Sequence, residues 1–185
     1  MGVKIIVIGG SWGGLQASLE ILSGLPADFN IPIVLVLHRL KNFDGDLESI
    51  YRKKTSLRVM EVDEKESIKG GSLYIAPPNY HVLIEENETF SLDASEPENY
   101  SRPSIDVTFN SAAEIYGKKT LGILLSGANK DGSLGLSVIG KKGGIAIVQD
   151  PREAEVDTMP QSAIDVIPDC KIYNLIQIRD FLISL

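Results

Sequence analysis

A single cysteine, Cys170, in 185 residues excludes an internal disulfide and a thiolate metal cluster, leaving a small buried apolar side chain as its expected role. Histidine is almost as scarce. With only His38 and His81 in the chain, any imidazole chemistry has two places to be. Basic charge is in deficit: 18 Lys+Arg stand against 25 Asp+Glu, giving a net charge of −7 and a pI near 4.9. That balance argues against a nucleic-acid partner and offers no attraction to anionic lipid. Long apolar runs are missing as well. The most continuous, Ile5 to Ile8 and Ile31 to Leu37, are far too short to span a bilayer, and the N-terminus carries none of the features of a secretory leader. The expectation is a cytoplasmic protein with no membrane insertion.

What is present fits one domain over residues 1–185: 43% of the chain is apolar, enough for a single core. Strand-length apolar runs alternate with helix-period segments. Val3 to Ile8 precedes Leu15, Leu19 and Leu22 on one helical face, and Ile31 to Leu37 follows. Leu121 to Leu125 and Ile145 to Val148 flank a helical segment from Asp131 to Lys142 that Gly143-Gly144 closes. Uninterrupted hydrophobic strands imply burial on both faces, so the expected fold is a doubly wound α/β sheet, largely parallel, with helices on both faces. The middle of the chain departs from this pattern. Leu73 to Pro77, His81 to Ile84 and Thr89 to Leu92, separated by Pro78-Asn79 and Glu86-Asn87, read as an antiparallel ribbon. A polar loop, Asp93 to Pro103, then leads to a helix over Ser104 to Tyr116, and an amphipathic helix from Asn174 ends the chain.

Ligands in an open parallel sheet bind beyond the carboxyl ends of the strands. The first strand ends in Gly9-Gly10-Ser11-Trp12-Gly13-Gly14, whose Gly-x-Ser-x-Gly spacing fits a strand-to-helix turn that projects a serine hydroxyl. The second ends at His38. A third ends in Ser126-Gly127-Ala128-Asn129-Lys130-Asp131-Gly132. A serine, a histidine and an aspartate thus converge, the composition of a hydrolase in which the imidazole takes the serine proton and the carboxylate orients the imidazole. Alternatives stand beside each residue. Ser11 also fits a generic glycine-rich phosphate turn, although the run satisfies neither Gly-x-Gly-x-x-Gly nor a P-loop. Asp131 fits a cap for the helix that follows it. Asp150, after Ile145 to Gln149, is a rival acid on strand-end logic, and spacing does not separate the two.

Several stretches together resemble the catalytic domain of the CheB-type chemotaxis methylesterases. They are Ile8-Gly9-Gly10-Ser11-Trp12-Gly13-Gly14, Leu37-His38, Tyr74-Ile75-Ala76-Pro77 with Tyr80-His81, Arg102-Pro103-Ser104-Ile105-Asp106-Val107, Leu124-Leu125-Ser126-Gly127 with Asp131-Gly132, and Gln149-Asp150 with Met159-Pro160. The resemblance covers nearly the whole chain. It implies a Ser11, His38 and Asp131 triad, set against Asp150 and His81, and hydrolysis of γ-glutamyl methyl esters on the cytoplasmic helices of chemoreceptors, with glutamine deamidation as a second activity. It implies no metal or organic cofactor. Backbone N–H groups near Trp12 and Gly13, with one near Ala128, are the expected oxyanion donors. Two departures stand out: Trp12 occupies a position usually small in this family, and Ala128-Asn129 replaces a Met-Gly pair. The receiver domain that familiar members carry is expected to be absent. The alternative reading is a receptor-binding module of the same fold whose catalysis has been altered.

Overall fold

The computed structural model describes residues 2–38 and 46–185. In chain order its elements are β1 (Ile5–Gly10), α1 (Gly14–Ser23), β2 (Ile33–Leu37), α2 (Leu47–Arg52), β3 (Arg58–Glu61), β4 (Ser72–Ile75), β5 (His81–Ile84) and β6 (Phe90–Asp93). Then follow α3 (Ile105–Tyr116), a 3-10 turn (Gly117–Lys119), β7 (Thr120–Leu124), α4 (Ser133–Lys141), β8 (Ile145–Gln149), α5 (Thr158–Val166), β9 (Lys171–Tyr173) and α6 (Leu175–Ile183). Seven strands form one parallel sheet in the order β3-β4-β2-β1-β7-β8-β9, and β5 and β6 pair antiparallel as a separate ribbon. The expected doubly wound α/β sheet is therefore the observed one.

β1 lies in the middle, and the chain builds outward from it on one side before crossing to β7 on the other. That reversal opens a crevice beside the carboxyl end of β1, where ligands of such sheets bind. Successive side chains of β1 serve opposite faces. Ile6 and Ile8 join the core under α1, α2 and α6 with Ile21, Leu22, Tyr51 and Leu182. Ile5 and Val7 join a second core with Phe109 of α3, Leu136 of α4, Met159 of α5 and Phe90 of the ribbon. Both layers exclude water almost completely, which explains why the central strands carry no polar alternation.

One expected element is corrected. Leu73 to Ile75 belongs to β4, which pairs parallel with β2 and β3, so the antiparallel ribbon consists of β5 and β6 alone. The short polar breaks on either side of His81 to Ile84 look alike in sequence, but Pro78-Asn79 ends a buried parallel strand whereas Glu86 to Glu88 makes the hairpin turn, with Glu88 at φ 57°. The C-terminal helix opens at Asn174 in a capping box with Gln177.

α3 and α4 cross closely where Gly135 faces Phe109: a Cβ on Gly135 would come within 2.7 Å of the Phe109 Cβ and 2.9 Å of the Asp106 carbonyl oxygen. Phe109 fills the space beneath that crossing and is fully buried. Phe109→Ala is expected to cost about 3–5 kcal/mol in urea unfolding, whereas Ile172→Ala, on a side chain 46% exposed, should fall within about 1 kcal/mol of the parent.

Candidate active site

Parallel register sets the site before any side chain is considered. Gly10 at the end of β1 pairs with Leu37 at the end of β2, and Gly9 pairs with Leu124 of β7. Ser11, His38 and the segment from Leu125 onward therefore leave the sheet side by side, on strands about 4.8 Å apart. Three main-chain bonds prolong the pairing past the strand ends: Leu125 N to Gly9 O at 2.8 Å, His38 N to Gly10 O at 3.1 Å, and Ser11 N to Ser126 O at 2.9 Å.

His38 and Asp131 meet directly. The His38 Nε2–H donates to Asp131 Oδ2 at 2.8 Å, with the His38 side chain 11% exposed and Asp131 fully buried. On the other edge of the ring, Ser101 Oγ and Asn129 Nδ2 each lie 3.4 Å from Nδ1. An amide donor at Nδ1 and a carboxylate at Nε2 assign the tautomer: the proton is on Nε2, and Nδ1 carries the ring's lone pair.

The carboxylate of Asp131 is held by the N-terminus of α3. It accepts from Ser104 Oγ at 2.8 Å, from Ile105 N at 2.7 Å and from Asp106 N at 3.1 Å, with Asn99 Nδ2 at 3.4 Å. Burial is the largest single influence on this group and pushes it toward the neutral acid. The His38 bond and the N–H groups of α3 outweigh it, and the carboxyl is held below its ordinary range. Asp131 therefore does not cap the helix that follows it, as its sequence position suggested. Gly132 at φ 93° takes that place, and the carboxylate crosses to a helix more than twenty residues upstream.

Ser11 opens the turn into α1. Its carbonyl oxygen accepts from Gly14 N at 2.9 Å. Gly13 sits at φ 79°, and a Cβ there would come within 2.6 Å of Ser126 Oγ and 2.7 Å of the Glu155 Cβ, so the turn requires glycine twice over. Among the described residues, neither the Ser11 hydroxyl nor the backbone N–H groups of Trp12, Gly13 and Ala128 find a hydrogen-bond partner. These are the three N–H groups expected from the sequence, and two of them point from the start of α1, where the helix dipole favours negative charge.

The rival residues lie elsewhere. Asp150 is tied to Arg152 through three side-chain bonds and one backbone bond, which hold its carboxyl down to about 2. His81 is buried in the ribbon, accepting from Ser104 N at Nδ1 (3.1 Å) and facing Glu96 O with Nε2 (3.1 Å). It supports Ser104, which in turn supports Asp131.

A family model for the CheB methylesterase matches residues 6–182. The chain belongs to the CheB methylesterase family. The fold agrees: the crystal structure of the Thermotoga maritima CheB methylesterase catalytic domain matches with a TM-score of 0.93 and 34% identity, over 100% of this chain and 99% of that one. A Leptospira interrogans relative, which carries the name protein-glutamate methylesterase/protein-glutamine glutaminase in provisional form, is 46% identical over 185 residues, covering 100% of this chain and 96% of its own. A Carboxydothermus hydrogenoformans protein-glutamate methylesterase/protein-glutamine glutaminase is 37% identical over 170 residues, 89% of this chain but 50% of that protein.

Trp12 does not fill the site. The residue is 58% exposed and its Nε1–H donates to Glu155 Oε1 at 2.7 Å, so the indole is held on the rim beside Gly13. Sequence reasoning missed the polar frame: Ser104, Asn99, Asn129 and Ser126, whose Oγ donates to Trp12 O at 2.8 Å and accepts from Val156 N at 2.9 Å. Ser104 was within reach, because a serine just before a helix ordinarily caps it. Here its hydroxyl donates to Asp131 instead, and no side-chain cap forms. Ser104→Ala removes one donor from a buried, ionised carboxylate and is expected to cost about 1–3 kcal/mol in urea unfolding at neutral pH; a loss indistinguishable from zero would mean that Asp131 draws no support from it.

Proposed function

We propose that this chain hydrolyses γ-glutamyl methyl esters on the cytoplasmic helices of chemoreceptors, with Ser11 as nucleophile, His38 as general base and then acid, and Asp131 as the residue that orients His38. The observation that carries the reading is the His38–Asp131 bond at the switch point of the sheet, one strand from a serine on a glycine-bounded turn. The names of the relatives support the substrate, and the same site chemistry accommodates a glutamine side chain.

The steps follow from the groups in place. Ser11 Oγ attacks the ester carbonyl as its proton passes to Nδ1 of His38, and Asp131 supports the positive charge that forms on the ring. The carbonyl oxygen becomes an oxyanion, stabilised by the N–H groups of Trp12 and Gly13 with Ala128 opposite, each donor worth about 3 kcal/mol in comparable acyl transfers. Collapse breaks the C–O bond to methoxide, which takes the proton from Nδ1 and leaves as methanol. Water then attacks the acyl-serine with Nδ1 again as base, releasing glutamate and restoring Ser11. With glutamine the first leaving group is ammonia. No step calls on a metal or an organic cofactor.

A receptor-binding module with altered catalysis is the weaker reading, because the Trp12 that motivated it is held at the rim by Glu155 and leaves its own N–H available. Methanol release from methyl-esterified receptor fragments separates the two. Ser11→Ala is expected to lower turnover on the order of 10⁴-fold or more with unchanged thermal unfolding, and retained turnover removes Ser11 from the mechanism. Asp131→Asn should cost a similar factor, because the His38 tautomer is no longer fixed; a far larger loss in Asp150→Asn would move the acid to the neighbouring strand.

A further inference from the structure

We propose that Asp106 is a positioning residue for this site, setting the charge around Asp131 and through it the proton affinity of His38. The proposal rests on the hydrolase reading above and concerns a residue that touches none of the reacting atoms. Asp106 lies in the first turn of α3 and is 8% exposed. Its side chain does not serve its own helix. Oδ1 accepts from Gly135 N, in the first turn of α4, at 2.6 Å. Asp131, at the entrance to α4, accepts from the first turn of α3, including Asp106 N at 3.1 Å. The two helices thus exchange carboxylates, each N-terminus being satisfied by an acid from the other's chain segment. Asn99 joins the pair: its Nδ2 lies 3.2 Å from Asp106 Oδ2 and 3.4 Å from Asp131 Oδ1.

Two buried carboxylates this close do not ionise independently. Desolvation, the largest influence, and then the charge of Asp131 push Asp106 up to about 6, against the bond from Gly135. Asp131 stays ionised below that point, because it has the helix N–H groups and His38. Between about pH 5 and 7 the crossing therefore passes from one negative charge to two. The other charged groups facing Asp106 are Lys130 and Asp165, which line with it a cavity of ≈ 260 Å³ and oppose one another in sign. His38 and His81 stand one residue further away, through Asp131 and through Ser104. That cavity also gives Asp106 a route for proton exchange. The second charge draws a proton toward His38, so ionised Asp106 makes His38 a stronger base and raises the pH needed to keep it neutral.

The folded protein binds the Asp106 proton more tightly than the unfolded chain. This group's contribution to stability is thus complete below its ordinary carboxyl range and is lost as pH rises through about 6. Catalysis follows the opposite course, because His38 must be neutral to accept the serine proton.

Asp106→Asn keeps the shape and an oxygen acceptor for Gly135 N–H while removing the charge. In that variant the midpoint of His38, read from its ring resonances by NMR, is expected to fall by at least about half a pH unit, a threefold loss of proton affinity. The acid limb of kcat/KM for ester hydrolysis should move the same way. With two histidines in the chain, His38→Gln suffices for the assignment. A purely structural role would lower Tm or kcat and leave both midpoints in place, and coincident His38 midpoints in the two proteins overturn the proposal. A second measurement needs no variant: in the parent protein the Asp106 carboxyl carbon and the His38 ring should show shared two-step titrations, and independent single-step curves overturn it equally. The ring resonances are read without substrate. A parent protein that binds protons as described but releases no methanol would refute the hydrolase reading and leave the coupling intact.

Discussion

The placement of one carboxylate at the start of a helix it does not belong to is the constraint on which this site depends. Asp131 follows β7, yet its oxygens satisfy three donors at the head of α3. An isolated buried carboxylate is costly, and the charge persists only because helix N–H groups and an imidazole replace the water it lost. The same bonds fix α3 over the carboxyl end of β1. A Cβ on Gly9 would lie 2.3 Å from Ile105 Cγ2, so the helix could not reach Asp131 if the strand carried any side chain at that position. Catalytic geometry and the packing of α3 are in this sense one arrangement, and a change that loosens either is felt by both.

The Ser11 turn is held from the opposite side. Ser126 bonds through its carbonyl to Ser11 N and through its hydroxyl to Trp12 O, with Gln149 Oε1 accepting from Ser126 N at 2.8 Å. Three neighbouring strand ends are thereby joined across β1, β7 and β8, and the turn's own donors are left unspent. N–H groups already fixed in direction need little reorganisation to meet a negative charge in front of them. It also explains how a bulky Trp12 is tolerated. The residue's backbone is held by Ser126 while its ring is carried outward to Glu155, so the side chain alters the rim without disturbing the turn.

Much of this was legible in the sequence, for identifiable reasons. Strands buried on both faces announce themselves as unbroken apolar runs, and Ser11 and His38 directly follow two of them, β1 and β2. Asp131 was found as a residue at a strand end, but its partner helix was not, since a hydrogen bond across twenty-six residues leaves no local trace. The short elements were illegible for a similar reason. α2, with six residues, and β9, with three, are too brief to show periodicity, and β4 was assigned to the ribbon because its polar flanks imitate a hairpin. The acid pair of Asp106 and Asp131 is the clearest case. Nothing in the spacing of the two aspartates says that they face each other, whereas the crossing of α3 and α4 over Gly135 makes it unavoidable.

The orientation of His38 ties these features together. In the more common serine hydrolase arrangement the acid binds Nδ1 and the outer nitrogen Nε2 meets the serine. Here the acid holds Nε2, and Nδ1, the nitrogen nearer the histidine's own backbone, lies on the opposite edge of the ring. Adjacent parallel strands in register place Ser11 beside His38 through Gly10 and Leu37. Asp131 meets the far end of the ring, beyond the end of β7. The head of α3, drawn in over Gly9, provides the support there. The ring orientation, the borrowed helix N-terminus and the glycine at the end of β1 therefore belong to one arrangement, a serine and a histidine on neighbouring strands with the acid held at the far end of the ring.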